Sequence, residues 1–338
     1  MSRVLLLFGG RSAEHDVSCT SAVAIYDALI AADHRVIPVG IDRAGEWWVV
    51  DPARRPFRAE GRPAAFRLPD GRLLAGDDDV GYDVVFPVLH GPYGEDGTMQ
   101  GVFEIAGKPY VGCGVLPSAL AMDKDIAKQI FAAAGILTSR WRVVRGADHR
   151  SDPSGTVASL VKYLGSPVFV KPAELGSSVG ISKADTPSEI EDAIDEALRY
   201  GDKVVVEEFI SGREIEVAVL EGPRTAVPGE VHSAGEWYDY DSKYEDDASD
   251  FEVPARLSDQ RIAEVRALAT RAFEAIEGRG LARVDFFFEE NGRGFLINEV
   301  NTMPGFTPIS GFPKMWTGTG MTYAELCNEL VEIALADS

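Results

Sequence analysis

Apolar and polar positions along this chain switch repeatedly between short strand-like runs and helical faces. Arg3–Phe8 is an apolar run closed by Gly9-Gly10 and reads as a buried strand. Ser18–Ala31 places Ala22, Ile25, Tyr26 and Leu29 on one helical face, and Arg35–Ile41 returns to a strand. Asp51–Gly81 is crowded with Pro, Arg, Gly and Asp and reads as a loop-rich excursion. Tyr82–Leu89 is the next strand, followed by the polar segment His90–Gly97 and a helix to about Ala106. This β-α-β opening predicts a parallel sheet. Gly9-Gly10-Arg11-Ser12-Ala13 lacks the GxGxxG spacing of a dinucleotide fingerprint, which ranks an NAD-dependent oxidoreductase last.

Helix Asp123–Ala134 ends at Gly135, a residue suited to a left-handed C′ position, and the first domain boundary falls just before that helix. Strands Pro167–Lys171 and Val179–Lys183 flank a glycine-rich turn. Thr186-Pro187-Ser188-Glu189 opens a helix with a capping box, and strand Lys203–Ile210 follows. Beyond it come strand Glu214–Leu220, an acidic aromatic loop from Gly235 to Phe251 and the amphipathic helix Ser258–Ile276. Two strands around Asn291-Gly292 precede a last helix capped by Thr322 and Glu325. The fold class is therefore α/β to α+β in three parts: 1–121, 122–212 and 213–338.

Composition narrows the partners. The 33 Lys and Arg against 54 Asp and Glu give a net charge of −21, which disfavours nucleic acid and anionic membranes. No run reaches the ~18 apolar residues of a membrane span, and three cysteines without CxxC spacing suit a reducing compartment, so a cytoplasmic protein is expected. Cys19 and Cys113 read as small core residues and Trp47-Trp48 as packing, while His34, His149 and His232 show no metal-ligand spacing.

Two constellations carry chemistry. Lys171-Pro172-Ala173-Glu174-Leu175-Gly176-Ser177-Ser178-Val179-Gly180 suits backbone N–H groups turned towards a polyanion such as triphosphate, with Lys171 as a point charge. Read alone, it equally suits an ordinary glycine-rich hairpin with a solvated lysine. More informative is the hairpin Ala282–Glu290 and Arg293–Asn301, where Asp285, Glu299 and Asn301 offer hard oxygen ligands to Mg²⁺. A two-residue Asn291-Gly292 turn would set Asp285 opposite Asn298 and turn Glu299 away. We therefore expect a three-residue loop ending at Gly292, or a bulge near Gly294, that returns both acids to one face. Of Phe286, Phe287 and Phe288, one face packs the core and the other lines a pocket.

Gly9–Ser18, His90–Gly97, Met122-Asp123-Lys124-Asp125, Gly176–Gly180, Arg283-Val284-Asp285 and Asn298–Gly305 run in an order that resembles the D-alanine–D-alanine ligases of the ATP-grasp superfamily. The resemblance covers nearly the whole chain. It implies a three-domain ATP-grasp fold with an N-terminal pre-Rossmann-like parallel-sheet domain, ATP and two Mg²⁺ (or Mn²⁺), D-alanine as substrate, and a homodimer through the N-terminal domain. It also implies that Lys124 and Lys171 contact ATP phosphates, and that Glu207, Glu208, Phe209 and Ile210 run beside adenine. Glu214 would meet the ribose, with Phe287 and Asn298 also at the nucleotide, and Ser177 and Ser178 would close over the phosphates. Asp285, Glu299 and Asn301 would hold the metals, and Arg283 with the Gly305 N–H would stabilise the tetrahedral oxygen. Glu14 and His90 would serve the first substrate, and Ser310 and Gly311 the second substrate's carboxylate.

Segment 235–251 resembles the family's lid, with Lys243 reaching the γ-phosphate and Tyr244 bonding Ser177 and Glu14. The Lys243-Tyr244 pair resembles the dipeptide-forming type. The alternatives are a D-alanine–D-lactate or D-alanine–D-serine ligase of the same fold, or a nucleotide-binding protein that has lost catalysis. Gly311 departs from the family, which carries a larger apolar residue there, so a wider second-substrate pocket is expected.

Overall fold

The computed structural model describes residues 1–176, 179–232 and 250–336. The first part is built on β1 (Arg3–Gly9), α1 (His15–Ala31), β2 (Arg35–Ile41), β3 (Trp47–Val49), β4 (Arg62–Arg67), β5 (Arg72–Ala75), β6 (Asp78–Asp79) and β7 (Val84–Pro87). Their sheet has the order β6-β5-β4-β3-β2-β1-β7, in which β1 pairs in parallel with both β2 and β7. Val4 through Phe8 are wholly buried, as a central parallel strand covered on both faces requires.

The outer strands correct the sequence reading in two ways. They are antiparallel, so the sheet is mixed, and they place β4, β5 and β6 within the loop-rich Asp51–Gly81, of which 51–61 stays irregular. β5 and β6 are too short to show a period, and β4 turns only Ala64 and Phe66 partly inward, where Phe66 meets Trp47 and Phe103.

Helices α2 (Thr98–Ile105), α3 (Val115–Met122) and α4 (Lys124–Ala133) lead into the second part. Asp123 caps α4 by accepting from the Asp125 and Ile126 N–H groups, and Gly135 follows it at φ +69°. Next come β8 (Trp141–Arg145), α5 (Gly146–Ser151), α6 (Pro153–Leu164), β9 (Val168–Pro172), β10 (Ser182–Ala184), α7 (Pro187–Ala197) and β11 (Lys203–Glu208). These strands form an antiparallel sheet ordered β10-β9-β11-β8. The Thr186–Glu189 capping box opens α7 as expected.

The last part holds β12 (Arg213–Leu220), β13 (Arg224–Thr225), β14 (Gly229–His232), β15 (Asp250–Glu252), α8 (Asp259–Ala275), β16 (Leu281–Glu289) and β17 (Gly294–Asn301). The sheet order is β15-β14-β12-β16-β17, with β13 beside β12. Helices α9 (Gly311–Gly318) and α10 (Tyr323–Ala336) close the chain, α10 after the reciprocal Thr322–Glu325 cap. Val4, Leu6, Phe8 and Phe86 share one buried cluster with Leu220, Phe306, Phe312 and Leu330. The first and last parts therefore have a common core, each fully buried Leu or Phe contributing ~1.5–3 kcal/mol.

In the β16–β17 hairpin, Glu289 pairs with Gly294 and Phe286 with Ile297, the register of a two-residue Asn-Gly turn. The register then shifts between Asp285 and Phe286, so that Asp285 faces Glu299 and Asn298 is the extra residue. The two acids do share a face, but neither a three-residue loop ending at Gly292 nor a bulge near Gly294 puts them there. The bulge lies at Asn298, beside the acids, where it re-aims the residues that follow.

Candidate functional site

Alternation along β16 buries Val284, Phe286 and Phe288 and turns Arg283, Asp285 and Phe287 to the other face. Arg283 donates through Nε and Nη2 to the two Asp285 carboxylate oxygens, both at 2.7 Å, and its Nε lies 3.3 Å from Glu216 Oε2. Burial alone would lower the Arg283 pKa; Asp285, Glu216 and Glu299 outweigh it and raise the pKa well above the ordinary value. Asn301 Nδ2 donates to Asp285 Oδ2 at 2.9 Å, which leaves its amide oxygen available to a cation. Two cross-strand carboxylates and an adjacent amide form a hard-oxygen donor set that fits Mg²⁺.

Behind the hairpin lies a buried network from β9, β11 and α4. Lys171 Nζ is 3.4 Å from Glu207 Oε2 and donates to Asn298 Oδ1 at 3.4 Å. Lys128, also wholly buried, is 3.3 Å from the same Glu207 oxygen and donates to Thr138 and Ser139 at 3.0 Å each. Burial would raise the Glu207 pKa, but Lys128 and Lys171 hold it down to about 2. Glu207 Oε1 is buried with no hydrogen-bond partner among the described residues.

Glu208, one step along β11, turns to the other face and pairs with Arg140 at 2.8 Å and Arg293 at 2.6 Å. Its side chain is thus engaged away from Lys171, and its backbone N–H donates to the Arg140 carbonyl at 3.0 Å. Phe209 stacks on Phe169 with 6.0 Å between ring centres, Ile210 is buried, and Glu214 lies across from Phe287 on β12. Lys124 Nζ donates to the Leu175 carbonyl, at the edge of the glycine-rich turn.

The first part supplies Glu14, at the N-cap of α1, and His90. The Glu14 carboxylate lies against Gly91, whose missing Cβ would stand 2.8 Å from Oε2, and close to Gly176. His90 Nδ1 is 2.9 Å from the Met303 carbonyl, and its Nε2 is buried without a partner among the described residues. Glu95 accepts from the Met303 N–H at 3.0 Å and the Gly91 N–H at 2.5 Å. Burial and the neighbouring Glu14 charge push its carboxyl up to about 8. A cavity of about 290 Å³ opens beside Ser12 and His90, at the carboxyl ends of β1 and β7 where α/β sheets bind ligands. On the far side of Met303, Ser310 is the N-cap of α9, its hydroxyl 2.8 Å from that of Thr307 and close to Gly305.

Glu14, His90, Lys171, Arg283, Asp285, Glu299, Asn301, Gly305 and Ser310 are thus disposed around the end of β17. Ser177, Ser178, Lys243 and Tyr244, with most of segment 235–251, lie outside the described residues. Sequence reading missed Glu95, Lys128 and Glu216. Lys128 follows Lys124 at the i,i+4 helical spacing and Glu216 follows Glu214 at the strand spacing, so both carried a positional signal. Gly311 is not open space either: a Cβ there would stand 2.5 Å from Glu216 Oε2 and 2.9 Å from the Phe251 ring. The expectation for His232 also changes, because the fold brings it within 4.8 Å of Glu230 and Glu252. Arg213 and Arg256 already neutralise those two acids at 2.6 Å each.

Residues 3–113 match the family model for the D-ala D-ala ligase N-terminus, and residues 130–332 match that for its C-terminus. The chain belongs to the D-alanine–D-alanine ligase family. The family's D-alanine--D-alanine ligase of Pseudarthrobacter chlorophenolicus is 44% identical over 360 residues, covering 98% of this chain and 94% of the relative. That of Heliobacterium modesticaldum is 45% identical over 346 residues, with the same coverage. Among solved structures, the D-alanine-D-alanine ligase from Coxiella burnetii superposes with a TM-score of 0.87 at 33% identity, covering 99% of this chain and 94% of that one. The VanG D-Ala:D-Ser ligase from Enterococcus faecalis gives 0.87 at 32% identity, covering 98% and 99%. Among the described residues, no helix is long and apolar enough to cross a membrane.

Proposed function

We propose that this protein joins two D-alanines, converting ATP and 2 D-alanine to ADP, phosphate and D-alanyl-D-alanine for peptidoglycan precursor synthesis in the cytoplasm. The observation that carries the reading is the single face on which Arg283, Asp285, Glu299 and Asn301 meet, with Lys171 tied to it through Asn298. A pure nucleotide binder has no use for Arg283 at that point.

In the first step a carboxylate oxygen of the first D-alanine attacks the γ-phosphorus and the bond to ADP breaks, giving an acyl phosphate. In the second, the amine of the second D-alanine attacks the acyl carbon, phosphate leaves and the amine's proton is released. Asp285, Glu299 and Asn301 would hold two Mg²⁺ or Mn²⁺, which neutralise phosphate charge when bound. Lys124 and Lys171 contact the phosphates; Glu207 to Ile210, Glu214, Phe287 and Asn298 surround the nucleoside.

Glu14 takes the first substrate's ammonium with His90 beside it, and the N–H groups at Ser310 and Gly311 take the second carboxylate. Arg283 and the Gly305 N–H stabilise the oxygen that becomes negative in the second step, a contribution of about 10²–10³ in rate for one such donor. Ser177, Ser178, Lys243 and Tyr244 complete the closed site and keep water from the acyl phosphate. This reading includes the division into 1–121, 122–212 and 213–338, and a homodimer through the first of these.

The test is phosphate release from ATP and Mg²⁺ with D-alanine, D-lactate or D-serine as acceptor, at neutral and raised pH, each product identified by mass. D-alanyl-D-alanine as the main product supports the reading. A D-serine or D-lactate product in excess would move this chain to the specificity named for the Enterococcus faecalis structure, or to a depsipeptide ligase. ATP binding without product would overturn it.

A further inference from the structure

We propose that Phe251 determines acceptor specificity, standing in for the side chain that position 311 lacks. The proposal rests on the ligase reading and deepens it. Two side chains converge on one point beside Gly311. A Cβ built there would stand 2.9 Å from Phe251 Cζ, 3.2 Å from Cε2 and 2.5 Å from Glu216 Oε2. Glu216 is in turn 3.3 Å from Arg283 Nε, so the ring edge stands one carboxylate away from the oxyanion-stabilising guanidinium.

The ring is keyed into this place from the other side as well. Gly229 on β14 pairs across from Glu216, and a Cβ there would fall 2.2 Å from Phe251 Cζ. Two glycines, one in a strand and one at the start of α9, are therefore bare where this single ring passes between them. Lys314, a turn further along α9, places its ammonium 5.9 Å from the ring centre. The ring packs against the cluster that holds Phe312 and Trp316 and remains partly exposed on its other side.

Loss of a side chain at 311 would by itself widen the space beside the second substrate's carboxylate. Phe251 refills it with an aromatic wall, and the room left for the acceptor's own side chain is set by that wall. An apolar wall admits a methyl group, and each further methylene costs about 10-fold to 200-fold in discrimination. The acceptor class that fits is a small D-amino acid with an apolar side chain.

The experiment is competition between D-alanine and D-2-aminobutyrate in the whole enzyme, with dipeptides read by mass for the residue in the C-terminal position. The unmodified protein should prefer D-alanine as acceptor by at least tenfold. F251L should reduce that preference and F251A reduce it further, with acceptor KM moving and ATP KM unchanged. F251W should lower kcat/KM for D-alanine itself. A protein that already takes D-2-aminobutyrate as readily as D-alanine would overturn the proposal without any variant. So would folded F251L and F251A proteins with an unaltered preference, since the ring would then be packing alone. Absence of any dipeptide from the unmodified protein is a separate result and overturns the ligase reading instead.

Discussion

Replacing Lys128 with methionine should weaken the middle of the molecule far more than a surface lysine would. Lys128 and Lys171 flank Glu207 at 3.3 and 3.4 Å in a buried setting. At an effective dielectric of about 20, each pair is worth ~5 kcal/mol before desolvation. Breaking a buried pair by removing one partner costs ~3–5 kcal/mol, and the low end applies because Lys171 and Ser139 still face Glu207. The loss at neutral pH is therefore about 3 kcal/mol.

The pH dependence gives an independent check. Glu207 has a folded value of about 2 against an ordinary 4.5, so its stabilising contribution is complete above about 4.5 and lost as pH falls through about 2. Without Lys128, burial is less opposed, the folded value rises, and the acid limb of stability moves to higher pH. Guanidinium unfolding at pH 7 and pH 4, with hydrogen exchange read at the β11 amides, measures both effects. ATP KM should rise as Lys171 loses its fixed neighbour. Equal unfolding midpoints and an unmoved acid limb in Lys128→Met would refute the argument.

Other expectations are simpler. Arg283→Lys keeps the charge but loses the two-pronged grip on Asp285, so kcat for dipeptide formation should fall about 10²–10³-fold with little change in ATP KM; a change under threefold in coupled phosphate release would count against its assigned role. The folded value of about 8 for Glu95 exceeds its ordinary 4.5, so stability should decline as pH rises from about 4.5 to about 8. Glu95→Gln should flatten that slope in melts across the range, and an unchanged slope would exclude Glu95 as its source. Thr186→Ala removes one half of the α7 capping box and should cost about 1 kcal/mol, seen as earlier exchange in α7.

Much of the fold was legible because local signals agreed with the packing. The buried parallel strand β1, the caps of α7 and α10, and Gly135 at a left-handed C′ all stand where residue type and period put them. The outer strands of the first sheet were not legible, since two to six residues with Arg and Asp at their ends give no usable alternation. In the hairpin, the paired acids of opposite strands forced an irregularity, but its place depended on tertiary context: Asn298 is the bulged residue and also the partner of Lys171. The strand-face assignment of Phe286, Phe287 and Phe288 followed from alternation alone. Spacing sets Lys128 on the face of Lys124 and Glu216 on that of Glu214, but the burial of these charges and of Glu95 shows only in partners from distant parts of the chain. Phe251 likewise stands 60 positions from Gly311 in sequence and reaches the space beside it only in the fold.

The peptide of Met303 is gripped on both sides by the first part of the chain, its carbonyl by His90 and its N–H by Glu95. A backbone group two residues before Gly305 thus takes its position from a loop some 200 residues earlier. Such a joint restricts how this chain can be recombined with its relatives. A chimera that takes residues 1–121 from this chain and the remainder from a relative would join two halves of a clamp adjusted separately. The loop carrying His90 and Glu95 and the segment after β17 should therefore be exchanged together, as a single heritable unit, whatever the identity elsewhere.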